Sequence, residues 1–144
     1  MLISALMAIA SGIMMSMQGV WNTRVTEKAG IWFTNSLVHV TGFIFCLAVL
    51  MFVRDANIEG LKAVNKFYLL GGVLGAGIVY TVIMSISKLG PAYAIMIILV
   101  AQVFASYLIE LFGLFGTEKV SFMWTKLLGV GIMVIGIIVF QCKK

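Results

Sequence analysis

Long stretches without a charged side chain alternate with short charged segments along the whole chain. The uncharged stretches are residues 1–23, 29–53, 67–87, 89–109 and 127–142. The hydrocarbon core of a bilayer is about 30 Å thick, so a helix needs about 20 apolar residues to cross it. The first four stretches are long enough, and Phe122, Met123 and Trp124 extend the last one. We therefore predict an all-α membrane protein with a single transmembrane domain, residues 1–144, whose five helices cross the bilayer at about residues 2–23, 31–53, 67–87, 91–111 and 122–142.

The composition excludes a water-soluble globule. Hydrophobic residues make up 62% of the chain and charged residues only 10%, whereas soluble domains carry about 25% charged residues. The predicted spans use most of the chain, so we expect no soluble catalytic domain and predict that the protein is not an enzyme. The first span lacks a charged leading segment and is longer than the core of a signal peptide, which is about 7–15 residues. We therefore expect it to stay in the protein as a transmembrane helix.

Two further features bear on cofactors and partners. Cys46 and Cys142 do not have the spacing of a metal site or of a disulfide framework, so we expect no metal and no cofactor. The formal net charge of +5 does not indicate nucleic acid, because lysine and arginine commonly flank membrane spans. The lipid bilayer is the expected surrounding of the chain.

Positive charge is divided evenly between the two sides of the membrane. One side carries Arg54, Lys62, Lys66, Lys119 and Lys126, and the other carries Arg24, Lys28, Lys88, Lys143 and Lys144, a count of 5 against 5. Orientation normally follows the asymmetry of lysine and arginine in short loops. Either another feature, such as the N-terminal amine, sets the orientation, or the chain inserts both ways and pairs with an inverted copy of itself. We favour dual topology, because transporters are often inverted repeats and the chain has no internal repeat.

Polar residues recur at helical spacing within four of the predicted spans. The stripes are Ser4, Ser11, Gln18 and Asn22 in the first span, Asn35, His39, Gly42 and Cys46 in the second, Tyr80, Met84 and Ser87 in the third, and Gln102, Ser106 and Glu110 with Tyr107 beside them in the fourth. Polar groups that face lipid have no partner, so these stripes are expected to point inward. We predict that they line a polar cavity whose substrate-binding residues are Gln18, Asn22, His39, Tyr80, Gln102 and Ser106.

The alternative is that these side chains hold neighbouring helices together. Interhelical hydrogen bonds in membranes contribute about 0.6–2 kcal/mol each. For Ser4, Ser11 and Ser106 this packing role is the favoured interpretation. For Gln18 and Gln102 the two interpretations stand equal, because a buried amide has donors and an acceptor that all need partners.

Two ionisable residues are candidates for proton chemistry. Glu110 lies near the end of the fourth span, where it is either a proton-coupling group or an interfacial acid paired with a loop lysine. His39 is the single histidine, and it lies midway along the second span. A lone histidine in a membrane helix more often packs through a hydrogen bond than relays protons.

Several segments together resemble a known family. They are Ser11-Gly12 to Gln18, Asn22-Thr23-Arg24, Gly30, residues 35–42, Leu70-Gly71-Gly72-Val73-Leu74-Gly75, Lys88-Leu89-Gly90-Pro91-Ala92, Gln102, residues 110–116 and Leu128-Gly129. In their order and spacing they resemble the YdcZ-like family of five-helix proteins in the drug/metabolite transporter superfamily of bacteria and archaea. The resemblance covers nearly the whole chain. This chain has Glu110 where the family usually has aspartate, which keeps the charge but extends its reach.

The resemblance implies one half of a ten-helix, inverted-repeat transporter in the inner (plasma) membrane. The other half would come from an antiparallel homodimer partner or from a paralogous five-helix chain. We therefore predict a secondary transporter that exports a small metabolite or drug-like molecule in exchange for protons, by alternating access between two chains. The alternative is a non-transporting membrane subunit that assembles with or regulates another membrane protein. An intramembrane enzyme is disfavoured, because the chain offers no catalytic dyad and no metal cluster.

Overall fold

Five long α-helices account for most of the chain in a computed structural model that describes residues 1–53, 57 and 59–142. They are α1 (Leu2–Ala29), α2 (Ile31–Val53), α3 (Gly71–Leu89), α4 (Pro91–Phe112) and α5 (Trp124–Gln141). By length and composition all five can cross a membrane, α3 together with the short 3₁₀ turn Lys66–Leu70 that precedes it. The prediction of an all-helical fold with five helices able to span a membrane is thus confirmed over the described residues. Arg54, Lys143 and Lys144, which enter the charge count, lie outside the described residues.

The helices do not always end where the charge pattern places the edge of the bilayer. α2 has the predicted bounds, but α1 continues past residue 23 to Ala29. Arg24, Glu27 and Lys28 are good helix formers, and Arg24 pairs with Glu27 one turn later at 3.2 Å. The first charged residue after the apolar stretch therefore does not end the helix, which continues through Arg24, Glu27 and Lys28.

Glycines end two of the helices. Gly30 follows α1 with φ of +83°, and Gly90 follows α3 with φ of +80°. This region of backbone space favours glycine, because a Cβ atom would be strained there. Pro91 then begins α4 at a position where a missing N–H leaves no hydrogen bond unmade. A single residue therefore separates α1 from α2 and α3 from α4.

The first of two compact units, Met1–Lys88, contains α1, α2 and α3. Ile83 and Ile86 of α3 are buried, and Gly19 of α1 lies directly against Ile86. Earlier on α3, the Ala76 carbonyl oxygen accepts a hydrogen bond from the Asn35 side-chain amide of α2 at 2.8 Å. The α3 helix is thus held by an apolar contact to α1 and by a polar contact to α2.

The second unit, Leu89–Lys144, contains α4 and α5. A connection of irregular backbone joins them, and it begins with Gly113 in the left-handed conformation that commonly ends helices. Within this unit Tyr107 is buried, while most apolar side chains of α5 are exposed.

Exposed apolar surface is a general property of the five spans. At most 11% of the most apolar window of any span is buried, and in α2 and α5 none of it is. Apolar side chains at this density are stable only against other apolar groups. The helix surfaces therefore lie against lipid or against another polypeptide.

Candidate functional site

A groove of about 530 Å³ runs between α4 and α5 within the second unit. Its lining is mostly apolar, and its polar groups come from both helices. The lining residues are Leu99, Gln102, Val103, Ser106, Tyr107 and Glu110 of α4 with Lys126, Gly129, Val130 and Met133 of α5. This α4/α5 groove brings together three residues that the sequence pattern placed on one helix face, namely Gln102, Ser106 and Glu110.

An ion pair lies at one end of the α4/α5 groove. The Nζ atom of Lys126 is 3.1 Å from Oε2 of Glu110, and both side chains remain partly exposed. The same ammonium group lies 5.0 Å from the centre of the Tyr107 ring. The ion-pair alternative for Glu110 is therefore what the geometry shows, although its partner lies in the first turn of α5 and not in a loop. Proton coupling by Glu110 stays a prediction.

Tyr107 fixes the beginning of α5 against α4. Its hydroxyl oxygen accepts a hydrogen bond from the Met123 N–H at 3.0 Å and lies 3.5 Å from the Met123 carbonyl oxygen. Met123 is the residue before α5, where backbone N–H groups have no partner within the helix. The Tyr107 side chain supplies that partner and so sets the position of Lys126 one turn further along.

The connection between α4 and α5 folds back onto the end of α4. The Val120 N–H donates to the Glu110 carbonyl oxygen at 3.1 Å. The Thr117 hydroxyl donates to the Ile109 carbonyl oxygen at 3.3 Å. The backbone around Glu110 is therefore held on both sides, whereas the Lys126 side chain reaches it through a flexible four-carbon stem.

Sequence reasoning did not single out Lys126 or the role of Tyr107. In the sequence Lys126 is one flanking lysine among several, and Tyr107 lies beside the polar stripe of the fourth span without a predicted role. A usable signal was present for Tyr107, because residues three apart on a helix share a face and Tyr107 precedes Glu110 by three. Nothing local in the sequence identifies Lys126, since its approach to Glu110 depends on the fold of the intervening connection.

A second groove of about 410 Å³ lies between α1 and α2 within the first unit. Its lining residues are Met14, Met17, Gln18, Trp21 and Asn22 of α1 with Val38, Thr41 and Gly42 of α2. This α1/α2 groove therefore contains two further predicted residues, Gln18 and Asn22. Asn22 is largely buried, whereas Gln18 is exposed.

The remaining predicted residues, His39 and Tyr80, lie where α2 contacts α3. Tyr80 stacks on Trp32 with ring centres 5.1 Å apart. His39 lies so close to Gly75 that a Cβ atom there would be 3.2 Å from the imidazole Cε1. The His39 Nε2 and Asn35 Oδ1 atoms are buried and have no hydrogen-bond partner in the part of the chain that the structure describes. The packing contact is thus shown, and a role of either residue in binding stays a prediction.

Among the described residues, no group of three or more His, Cys, Asp or Glu side chains could hold a metal ion. Cys46 and Cys142 are both free and exposed.

A family model described as "Putative inner membrane exporter, YdcZ" matches residues 3–139 of the chain. Neither a curated protein nor a solved structure matches. The matched range includes all the predicted site residues, and the family description is that of a transporter and not of an enzyme.

Proposed function

Because the chain belongs to this YdcZ family of inner membrane exporters, we propose that it is a secondary transporter that exports a small metabolite or drug-like molecule in exchange for protons. It is a multi-pass protein of the inner membrane. The observation that carries the proposal is the α4/α5 groove, in which Gln102, Ser106 and Glu110 face one space between two membrane-spanning helices.

Two polar groups of the α4/α5 groove, on Gln102 and Ser106, have no hydrogen-bond partner among the described residues. An amide without a partner in an apolar environment costs roughly 2–7 kcal/mol. A substrate, water or a second chain must therefore supply these bonds. The groove volume of about 530 Å³ lies within the range of roughly 300–1,000 Å³ that holds drug-sized ligands.

Two chains are proposed to form the transport unit. Alternating access in inverted-repeat transporters comes from movement of one repeat against the other around a central site. An odd number of spans lets one short chain supply both repeats if it inserts in both orientations. Lysine and arginine are divided 5 against 5 between the two sides, so their distribution disfavours neither orientation. An antiparallel homodimer is therefore favoured over a paralogous five-helix partner. The exposed apolar faces of the spans offer surface for such a pair.

In the α4/α5 groove, Gln102 and Ser106 are proposed to bind substrate and Glu110 to couple transport to protons. In the first unit, taken by itself, the further proposed substrate-binding residues are Gln18 and Asn22 of the α1/α2 groove and His39 and Tyr80 at the α2/α3 contact. A proton on Glu110 removes its negative charge and with it the ion pair to Lys126. Loss of that proton restores the pair. The ion pair thus gives the carboxyl group two states that differ in their contact with α5, which is the property that a coupling group needs.

The proposal is tested with purified protein in liposomes that are loaded with a mixed panel of small metabolites and drug-like compounds. A pH gradient is imposed, and the compounds that leave are identified by mass spectrometry. We expect gradient-dependent loss of particular compounds, reduced in Gln102→Ala and unchanged in Gln141→Ala, a matched substitution at the end of α5. Equal export by the two variants would show that Gln102 does not bind the substrate. Absence of any export from folded protein supports the non-transporting subunit instead.

The orientation proposal has its own test. A tag at residue 144 is assayed in intact cells for its side of the membrane. We expect the tag on both sides, as dual insertion requires. A tag found on one side alone contradicts dual insertion and directs the search to a separate inverted partner.

A further inference from the structure

We propose that the α4/α5 groove binds an amphipathic primary ammonium compound, and that the Lys126 side chain occupies the ammonium position when no ligand is bound. This inference rests on the proposed function, since it names the substrate class of the same groove.

Two groups that recognise cations meet at the Lys126 ammonium. One is the Glu110 carboxylate at 3.1 Å, which forms a charge-assisted hydrogen bond. The other is the Tyr107 ring, whose centre is 5.0 Å away, within the range in which an aromatic face attracts a cation. Tyr107 is itself fixed by its hydrogen bonds to Met123. This position therefore has two groups that bind ammonium ions, and the ammonium group of Lys126 occupies it.

The space beyond this position is apolar. Leu99 and Val103 of α4 face Val130 and Met133 of α5 along the groove. Gln102 lies eight residues before Glu110, which corresponds to about 12 Å along a helix. A fitting ligand therefore has an ammonium group at one end, an apolar body up to about 12 Å long, and room for a polar group that reaches Gln102.

Lys126 can leave its position without a large penalty. Its side chain is 39% exposed, and it lies in the first turn of α5 beside Trp124, an amphipathic residue that is typical of membrane interfaces. A lysine at such a position can extend its ammonium group into water. When a ligand ammonium replaces it, the Glu110 carboxylate keeps a positive partner. Ligand and Lys126 therefore compete for one position.

The geometry also indicates the sign of the ligand charge. An anionic ligand in the position of the Lys126 ammonium would lie against the Glu110 carboxylate, which carries the same sign of charge. The aromatic face of Tyr107 repels anions and attracts cations. The two groups that remain when Lys126 moves away, the Glu110 carboxylate and the Tyr107 ring, both favour a cation, so the exchangeable ligand is a cation.

The test measures binding directly, separate from transport. The purified full chain in an amine-free neutral detergent is titrated with 2-phenylethylammonium, and the ¹³C-methyl NMR signal of Met133 is followed, assigned with Met133→Leu. The matched ligands are 2-phenylethanol, which replaces the ammonium by a hydroxyl group, and phenylacetate, which is anionic. We expect saturable binding of the ammonium compound and binding at least about tenfold weaker for the other two, the scale of one charge-assisted hydrogen bond.

Variants separate competition from a structural role of the ion pair. Glu110→Gln is expected to weaken ammonium binding about tenfold, whereas Lys126→Gln is expected to strengthen it by a similar factor, because the competitor is gone. Lys126→Arg keeps a competing cation and is expected to bind more weakly than Lys126→Gln. Lys119→Gln removes an exposed lysine of the preceding connection and is expected to leave binding unchanged. If Lys126→Gln weakens binding as Glu110→Gln does, or if the alcohol binds as well as the amine, the inference is wrong.

The comparison of Lys126→Gln with Lys126→Arg remains decisive even if Glu110→Gln fails to fold. A short-chain phosphatidylethanolamine, titrated separately, identifies the source of the ammonium group. Tighter binding of this lipid assigns the group to a lipid headgroup, and tighter binding of the soluble amine assigns it to a soluble compound. Ammonium binding without export in liposomes would contradict the proposed function alone, and export of other compounds without ammonium binding would contradict this inference alone.

Discussion

Gly19 of α1 and Ile86 of α3 approach each other so closely that a Cβ atom on Gly19 would lie 2.7 Å from Cδ1 of Ile86. Val82 lies on the same side at 3.3 Å. Ile86 is buried, so its side chain has little room to move away. The contact between α1 and α3 therefore requires a residue without a side chain at position 19.

The first prediction concerns this contact. Gly19→Leu is expected to destabilise the protein by about 1–3 kcal/mol, because an inserted side chain in a close contact forces its neighbours apart. The measurement is thermal or denaturant unfolding in detergent. Gly12→Leu on the same helix is the control, since nothing in the described structure lies within 4 Å of a Cβ atom there. Equal stability of the two variants would show that α1 and α3 do not pack at Gly19.

A second prediction concerns the polar contact between α2 and α3. Asn35 is buried and donates to the Ala76 carbonyl oxygen at 2.8 Å. Asn35→Ala is expected to lower the free energy of unfolding by about 1 kcal/mol, the scale of an interhelical hydrogen bond in a membrane. The neighbouring Ser36→Ala, at an exposed position, is expected to have no effect. An Asn35→Ala variant with an unchanged free energy of unfolding would contradict a structural role for this hydrogen bond.

The sequence predicted the spans better than it predicted the site. Hydrophobicity is a local property, so five uncharged stretches were enough to identify the five long helices of the described residues. The ends of α1 and α3 differ because charge reports the edge of the bilayer, while glycine geometry at Gly30 and Gly90 ends the helices.

Within the site, spacing alone predicted that Gln102, Ser106 and Glu110 share a face, and one groove contains all three. The pairing of Glu110 with Lys126 was beyond sequence reasoning. It depends on a connection in which Gly113 is left-handed and Phe115, a residue with a side chain, also has a positive φ of 57°. The division of the predicted polar residues between two grooves and the α2/α3 contact likewise follows from three-dimensional packing.

A third prediction tests how α5 is positioned. Tyr107→Phe keeps the ring below Lys126 but removes the hydroxyl group that accepts from the Met123 N–H. We expect faster hydrogen exchange of the Met123 amide and a loss of stability of about 1 kcal/mol. Tyr93→Phe is the control, because the Tyr93 hydroxyl makes no hydrogen bond in the described structure. Unchanged exchange at Met123 in Tyr107→Phe would show that the hydroxyl does not hold the start of α5.

A fourth prediction concerns coupling. Glu110→Gln keeps the shape of the side chain and removes its charge, so no proton can be exchanged there. In the liposome assay this variant is expected to lose export that depends on a pH gradient, and a pH-sensitive dye is expected to show no proton movement when substrate is added. Glu27→Gln, which removes a carboxylate at an exposed position on α1, provides the control. Full gradient-dependent export by Glu110→Gln would exclude Glu110 as the coupling group.

Two copies of this chain, inverted relative to each other, are proposed to form the exporter. Five spans place the two termini on opposite sides of the membrane, so a direct tandem fusion of two copies forces the second copy into the inverted orientation. A fusion through one additional inert span forces both copies into the same orientation. Both fusions are reconstituted at about one molecule per liposome, so that no second molecule can complete the pair, and export of the panel compounds is measured. We expect export by the direct fusion and none by the fusion with the added span, and the opposite result would show that the two copies do not work in inverted orientations.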